Sequence, residues 1–331
     1  MSLERPVFAS RQEYGRYFTN PSYWHPYVAA ICVRHDLGNP VTVCAGLPGT
    51  HPVFLVNEQY AVKLYTDLFN GEQSYHVERE IYRLIATEPS LPAPSLVATG
   101  MLFDEHDGWP WPYIVTRVIP GLSISESEVS YADRLNVAAW LGVVVRRMHS
   151  LSLVAPFSPE WKPFLQFLAA RRTEVVADHA RWGCLPAHLV AQIEEYMPDL
   201  TTLIDEKEIP ALLHCDLNSD HVLGERIAGY WRPTGVIDFG DARVGDRIYE
   251  LVALHLGLFH CDGQMLRIFL EAYGFDEALR RDFVRRAMSM TLLFEFNVCT
   301  HIFQHIPGAA SVGTLDELAE LVWGNVLTSE R

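Results

Sequence analysis

The period of the apolar positions changes twice along the chain. Residues 10–38 carry aromatic residues at spacings that suit one or two short helices. Val53–Asn57 and Tyr60–Tyr65 are then β-branched and aromatic runs parted by the polar turn Asn57-Glu58-Gln59, which predicts a hairpin. Over 72–88 the pattern turns helical: Tyr75, Glu78, Ile81, Tyr82 and Ile85 share one face, and Pro89 ends the segment. Leu91-Pro-Ala-Pro94 is a stiff connector. Strands are expected at 96–103 and 112–119 with Asp104–Trp109 as their turn, and Pro120-Gly121 breaks the chain.

Beyond residue 121 the pattern is mostly helical. Ala132–Leu151 presents Leu135, Ala138, Leu141, Gly142, Val145 and Met148 as a broad apolar face; Phe164–Ala177, Leu189–Met197 and most of 248–331 also read as helices. Ala211–His214 and Gly235–Phe239 are short strands. The fold class expected is α+β, with a β-rich N-terminal lobe over 1–118 and a mostly helical C-terminal lobe over 119–331. Small-molecule sites favour the cleft of such a two-lobed plan. A length of 331 residues suits two lobes, since domains run to about 100–200 residues.

Charge narrows the partners. With 26 basic and 41 acidic residues the formal charge is −15, a field that repels nucleic acid and attracts small cations. The six cysteines form no CxxC pair, which fits a reducing cytoplasm better than a disulfide framework. The N-terminus has no signal-peptide pattern. Uncharged runs such as Leu135–Val145 are too short to span a bilayer. A monomer is expected.

Candidate chemistry concentrates in two motifs. His214-Cys-Asp216-Leu-Asn218-Ser-Asp220-His221 follows one short strand, and Ile237-Asp238-Phe239-Gly240-Asp241 follows the other. Phosphoryl transfer needs a carboxylate that orients an attacking hydroxyl, here Asp216, and a metal held against phosphates, here by His221 and Asp238. Mg²⁺ keeps several waters and asks little of the protein. Taken singly, either aspartate is more simply a turn cap; the pair, each after a strand, is the stronger signal. Lys63 stands alone in the apolar run Ala61–Tyr65 and needs a partner once buried; Glu80 is the first choice and Glu78 the second. Gly46-Leu-Pro-Gly49-Thr50-His51 lies before the first expected strand, where small residues admit phosphates to backbone N–H groups.

The order Lys63, Glu80, a hinge near Thr116–Val118, His214-Cys-Asp216 and Ile237–Asp241 resembles the aminoglycoside phosphotransferase family, over nearly the whole chain. The resemblance implies a protein-kinase-like fold with ATP or GTP and Mg²⁺ as co-substrate and cofactor. It implies that Lys63, its helix glutamate, and Gly49 and Thr50 attend the phosphates, and that the hinge backbone around Val115 and Arg117 meets the base. The family usually has Asn where this chain has His221, although the 2″-phosphotransferases carry a segment similar to Ser219-Asp220-His221. Trp109-Pro-Trp-Pro-Tyr113, Trp182-Gly183 with Leu185, Tyr196-Met-Pro-Asp199-Leu and Glu317-Leu-Ala with Val322-Trp323-Gly324 are similar to hygromycin B 7″-phosphotransferases within that family. That likeness implies a cationic aminocyclitol or aminoglycoside acceptor, with Asp241 and Glu295 as carboxylates for its ammonium groups. Glu295 is read as lying in an apolar helix, Ala287–Cys299, where Arg286 is the alternative partner. Rival readings are a kinase of an amino alcohol, hydroxylysine, sugar or macrolide, and a nucleotide-binding pseudokinase scaffold. His301 and His305 stand at a zinc-like spacing without a third ligand, and read as surface histidines.

Overall fold

Asn57 and Glu58 both take positive φ, 51° and 55°, and so make the tight turn that joins two twisted strands. The computed structural model describes residues 3–104, 106 and 108–324. In it the expected hairpin is β2 (Val53–Val56) and β3 (Tyr60–Leu64), in antiparallel register. A strand not foreseen, β1 (Val43–Ala45), pairs with β2. β4 (Leu96–Met101) and β5 (Pro112–Arg117) complete a five-stranded sheet in the order β1-β2-β3-β5-β4. The helices Arg11–Tyr17 and Pro21–Arg34 bring Tyr14, Trp24, Val28 and Ile31 to a core with Phe54, Val62, Trp111 and Val115. The helix Gly71–Ile85 buries Tyr75, Glu78, Ile81 and Tyr82.

Contacts divide the chain into two units, Met1–Gly121 with Gly235–Asp241, and Leu122–Thr234 with Ala242–Arg331. The expected boundary lay at 118/119. The first unit instead runs to Gly121 and takes back the later segment, because the Val236 N–H donates to the Pro92 carbonyl at 2.8 Å and Phe239 packs on Tyr82.

The second unit is mostly helical, as expected. Its two long helices, Tyr131–His149 and Trp161–Trp182, overlap the predicted ones; Gly183, at φ 68°, ends the latter. A Cβ at Gly142 would meet the Phe269 carbonyl at 2.4 Å, so glycine lets Tyr131–His149 close on the helix Gly263–Tyr273. The predicted Leu189–Met197 is two short helices, Ala187–Val190 and Ile193–Tyr196. The predicted helix Ala287–Cys299 is broken: Phe283–Leu293 ends before Glu295, and the next helix begins at Cys299. Five short strands complete the chain: β6 (Leu122–Ser123), β7 (Ala211–Leu213), β8 (Val222–Ile227), β9 (Tyr230–Val236) and β10 (Arg243–Gly245). β10 pairs with β7, and β6, β8 and β9 form a separate sheet. Among the described residues no helix is long and apolar enough to cross a membrane.

Asp246 caps the helix Arg247–Val252 through the Ile248 N–H at 2.8 Å, as its position predicts, and also pairs at 3.0 Å with buried Arg286. Asp246→Ala leaves that guanidinium buried and unpaired. It is expected to cost about 3–5 kcal/mol in urea unfolding; a loss near the roughly 1 kcal/mol of a cap alone would show the ion pair to be unimportant.

Candidate active site

Alternation along β3 sends Val62 and Leu64 into the core and Lys63 to the opposite face. There the Lys63 Nζ lies 2.7 Å from Glu78 Oε2 and 2.7 Å from Asp238 Oδ1, all within the first unit. Burial works against the ammonium, but the charges of Asp238 and Glu78 outweigh it and hold the group above the usual lysine range. Glu78 is 2 % exposed and accepts two further bonds, from the Tyr65 hydroxyl at 2.5 Å and the Tyr82 hydroxyl at 2.9 Å. One carboxylate is thus oriented from three sides.

The partner of Lys63 is therefore Glu78, not the first-named Glu80. Glu80 lies about 200° around the helix from Glu78, off the buried stripe. It pairs instead with Arg79 and Arg83, both at 2.7 Å.

Asp238 lies beyond the end of β9 with φ 64°, a left-handed backbone rarely taken outside glycine. Gly240 follows; a Cβ there would stand 3.3 Å from Asp238 Oδ1, 3.7 Å from Glu78 Oε2 and 3.8 Å from Lys63 Nζ. The chain thus passes directly against the charged triad. Residues 46–52 join β1 to β2 rather than preceding the first strand. Gly49 and Thr50 are exposed there, and the Thr50 carbonyl accepts from the Tyr14 hydroxyl at 3.0 Å. His51 anchors the loop's end: it is buried, its ring centroid lies 4.9 Å from that of Tyr65, and its Nδ1 accepts the Thr66 N–H at 3.4 Å. Burial, then the Lys63 ammonium, pushes His51 down to about 3, so the ring is neutral.

Val115 lies in β5 between β3 and β4. The Arg117 N–H donates to the Ser95 carbonyl at 2.9 Å, and its guanidinium rests 4.5 Å from the Tyr60 ring. That amide is already engaged in the sheet edge, which removes it from the backbone donors expected at the hinge.

In the second unit, Asp216 leaves β7 through Cys215, whose φ is 68°. Asn218 Nδ2 donates to Asp216 Oδ1 at 3.0 Å. His221 Nδ1 lies 2.6 Å from the Asp216 carbonyl oxygen and 3.4 Å from its Oδ2. A carbonyl only accepts, so Nδ1 carries a proton and donates it to that oxygen. The loop is braced by Glu250, fully buried on the helix Arg247–Val252, which accepts the N–H groups of His214 at 2.5 Å and Cys215 at 3.2 Å. His149 stands 3.5 Å from the same carboxylate and is bonded to the Tyr273 hydroxyl at 2.8 Å.

Glu295 lies in the break after Leu293 and is paired with Arg243, whose guanidinium sits 3.9 Å from the Phe167 ring centre. The alternative partner named for it, Arg286, is engaged by Asp246 instead. Asp241 is half-buried in the first unit, three residues beyond Asp238. His301 and His305 stack in near-parallel with His260, at 13° and 8°. Sequence reasoning missed Tyr65, His51, Glu250 and His149 as supports of these clusters. Tyr82, one turn after Glu78, and Glu250, an acid inside Ile248–Val252, were the available signals.

Residues 45–283 match the pattern of a phosphotransferase enzyme family. Solved structures show the same fold. The GDP and kanamycin complex of APH(2″)-IIia has a TM-score of 0.62 at 17% identity, over 91% of this chain and 98% of that one. The streptomycin-ATP-APH(2″)-IIa ternary complex has a TM-score of 0.53 at 18% identity, over 92% and 98%. A curated relative, lysine-specific demethylase JMJ21 of Arabidopsis thaliana, is 25% identical over 92% of this chain. The chain spans 45% of that relative's length.

Removing Glu78 strands two buried hydroxyls and half the neutralisation of Lys63. Glu78→Ala is expected to destabilise the protein by about 3 kcal/mol, and Glu80→Ala by less than about 1 kcal/mol. Urea unfolding of both variants checks this; equal effects would contradict the assignment.

Proposed function

We propose that this chain, which belongs to the phosphotransferase enzyme family, moves the γ-phosphate of ATP or GTP to a hydroxyl group of a small cationic molecule. The acceptor class proposed is an aminoglycoside or aminocyclitol such as hygromycin B. The observation that carries the reading is the Lys63 ammonium, half-buried on a strand and held between Glu78 and Asp238 at 2.7 Å each. A fixed cation beside a metal-competent carboxylate is what the phosphates of a nucleotide require. The solved structures of the same fold contain GDP, ATP, kanamycin or streptomycin, and the charge of −15 favours a cationic acceptor. The demethylase name of the Arabidopsis relative is not carried over, since the phosphotransferase match covers most of the length shared with it.

Roles follow residue by residue. Lys63, oriented by Glu78, receives the α- and β-phosphates, with the loop at Gly49 and Thr50 over them. Val115 and the chain after Arg117 flank the base. Asp216 orients the acceptor hydroxyl and takes its proton late. Asp238 and His221 are proposed as the Mg²⁺ ligands: a carboxylate oxygen is the usual kind of donor for this ion and an imidazole nitrogen a less usual one. When bound, Mg²⁺ neutralises phosphate charge. Positioning and charge supply most of the rate, because little covalent chemistry is asked of the protein. Asp241 and Glu295 are proposed for the acceptor's ammonium groups; at Glu295 such a group competes with Arg243. A cytoplasmic monomer suits these roles.

The test is a coupled nucleotide assay with Mg²⁺, ATP or GTP, and a panel of acceptors led by hygromycin B. Acceptor-dependent turnover is expected, falling roughly 100-fold or more in Asp216→Ala. Turnover with an amino alcohol or sugar alone would replace the acceptor class, and turnover unchanged in Asp216→Ala would sink the mechanism. His221→Asn is expected to keep substantial turnover, since either side chain supplies one donor atom; complete loss in a folded variant would give His221 another role.

A further inference from the structure

β10 places Arg243 opposite Leu213 of β7, and Asp216 follows three residues beyond Leu213. The Arg243 guanidinium fills a corner between two aromatic rings. Its carbon lies 3.9 Å from the centre of the Phe167 ring and 5.8 Å from that of Tyr249. Those two rings stand 5.7 Å apart at 86° to one another. The third wall is the Glu295 carboxylate, which accepts a hydrogen bond from Arg243 Nη2. Phe167 lies on the helix Trp161–Trp182, Tyr249 on Arg247–Val252 and Glu295 in the break before Cys299, all in the second unit. Aromatic faces beside a carboxylate make a receptor for an organic cation; here the chain itself supplies the cation.

The corner is open to solvent. The Arg243 and Glu295 side chains are 23% and 25% exposed. From Tyr249 the aromatic wall continues through Phe294, 4.9 Å away, to exposed Phe296. The Arg286–Asp246 pair differs, with side chains only 8% and 7% exposed. Parting that pair strands a buried charge. Parting a half-open pair costs little, because water solvates each partner as it leaves.

We propose that Glu295, Phe167 and Tyr249 form the subsite for an alkylammonium or guanidino group of the acceptor, and that Arg243 is the internal cation that fills this subsite in the free protein and sets the acceptor's affinity. The inference rests on the phosphotransfer reading and adds to it a residue that opposes acceptor binding. Binding is then an exchange of one cation for another. The acceptor's group takes the carboxylate and the Phe167 face, and Arg243 swings to solvent; no covalent bond changes. A neutral acceptor cannot replace the charge that Glu295 loses, so the exchange selects cations at a defined place, which a net charge does not. Arg243 raises the acceptor's apparent dissociation constant by the ratio of filled to open forms and leaves the reacting groups untouched.

Steady-state kinetics with hygromycin B, or with whichever acceptor of the panel turns over best, test this. Arg243→Ala is expected to lower the acceptor KM about 10-fold, while kcat and the nucleotide KM stay within about twofold of wild type. Adding Glu295→Gln to Arg243→Ala is expected to reverse that gain. Loss of a merely structural contact does not tighten binding, so an unchanged or raised acceptor KM in Arg243→Ala overturns the proposal. A second measurement needs no turnover. Calorimetric titration with methylguanidinium chloride is expected to give roughly millimolar binding to Arg243→Ala, and binding about 10-fold weaker to wild type and to the double variant. Equal binding to all three overturns the proposal. Absence of turnover with every acceptor defeats the phosphotransfer reading, and this titration then decides the cation subsite by itself. The wild-type chain gives an answer even where Arg243→Ala fails to fold. Phenylglyoxal modification of Arg243, mapped by mass spectrometry, is expected to quicken when the acceptor saturates the protein; an unchanged rate overturns the proposal.

Discussion

A charged ammonium inside an apolar strand is the constraint on which the first unit depends. An unpaired buried charge is expensive enough that the surroundings must supply countercharge and hydrogen bonds. Here Glu78 and Asp238 supply the charge, and Tyr65 and Tyr82 fix the glutamate. The chain returns to the first unit at 235–241 after more than a hundred residues elsewhere, and the Lys63–Asp238 pair is one reason for that return. The fold and the chemistry are thus joined at a single interaction. On the proposed function, the lysine is positioned before a phosphate arrives, so ordering it need not be offset at binding.

The second unit solves a different problem, that of holding an irregular loop still. Cys215 in a left-handed conformation leaves consecutive backbone N–H groups pointing inward, and a buried N–H without an acceptor is costly. Glu250 accepts two of them. Asp246, four residues earlier, caps the same helix and neutralises Arg286. One short helix therefore both ends the loop's conformational freedom and is itself fixed by a buried ion pair. Asp216 stands on that platform.

Much of this was legible in the residues. The hairpin around Asn57-Glu58, the helix after Gly71 and the long helices of the second unit follow from local periodicity and turn chemistry, which a sequence displays directly. The motifs at 214–221 and 237–241 were legible because several chemically unusual residues crowd into few positions. The failures have physical causes. Choosing Glu80 over Glu78 ignored the helix stripe: Glu78 shares its face with Tyr75 and Tyr82, and that face is buried. The β8–β9 hairpin was missed because its strands are broken by Arg, Gly and Pro, and short irregular strands are stabilised by neighbours rather than by propensity. Glu295 was drawn in a continuous helix because apolar residues run through 287–299, and composition alone does not show where a helix stops. Glu250 accepts the Cys215 N–H from far along the chain; an acid inside Ile248–Val252 marks a buried carboxylate but not the amide that it meets.

In the proposed function Lys63 is a cation that exchanges one anion for another: Asp238 in the structure described, nucleotide phosphate in the proposed reaction, with Asp238 passing to the metal. Calorimetric titration of the protein with ATP and with GTP, each with and without Mg²⁺, tests this directly when wild type is set beside Asp238→Ala. Nucleotide binding is expected to strengthen with Mg²⁺ in the wild type and to lose that Mg²⁺ dependence in the variant. An unchanged Mg²⁺ dependence in Asp238→Ala would contradict it.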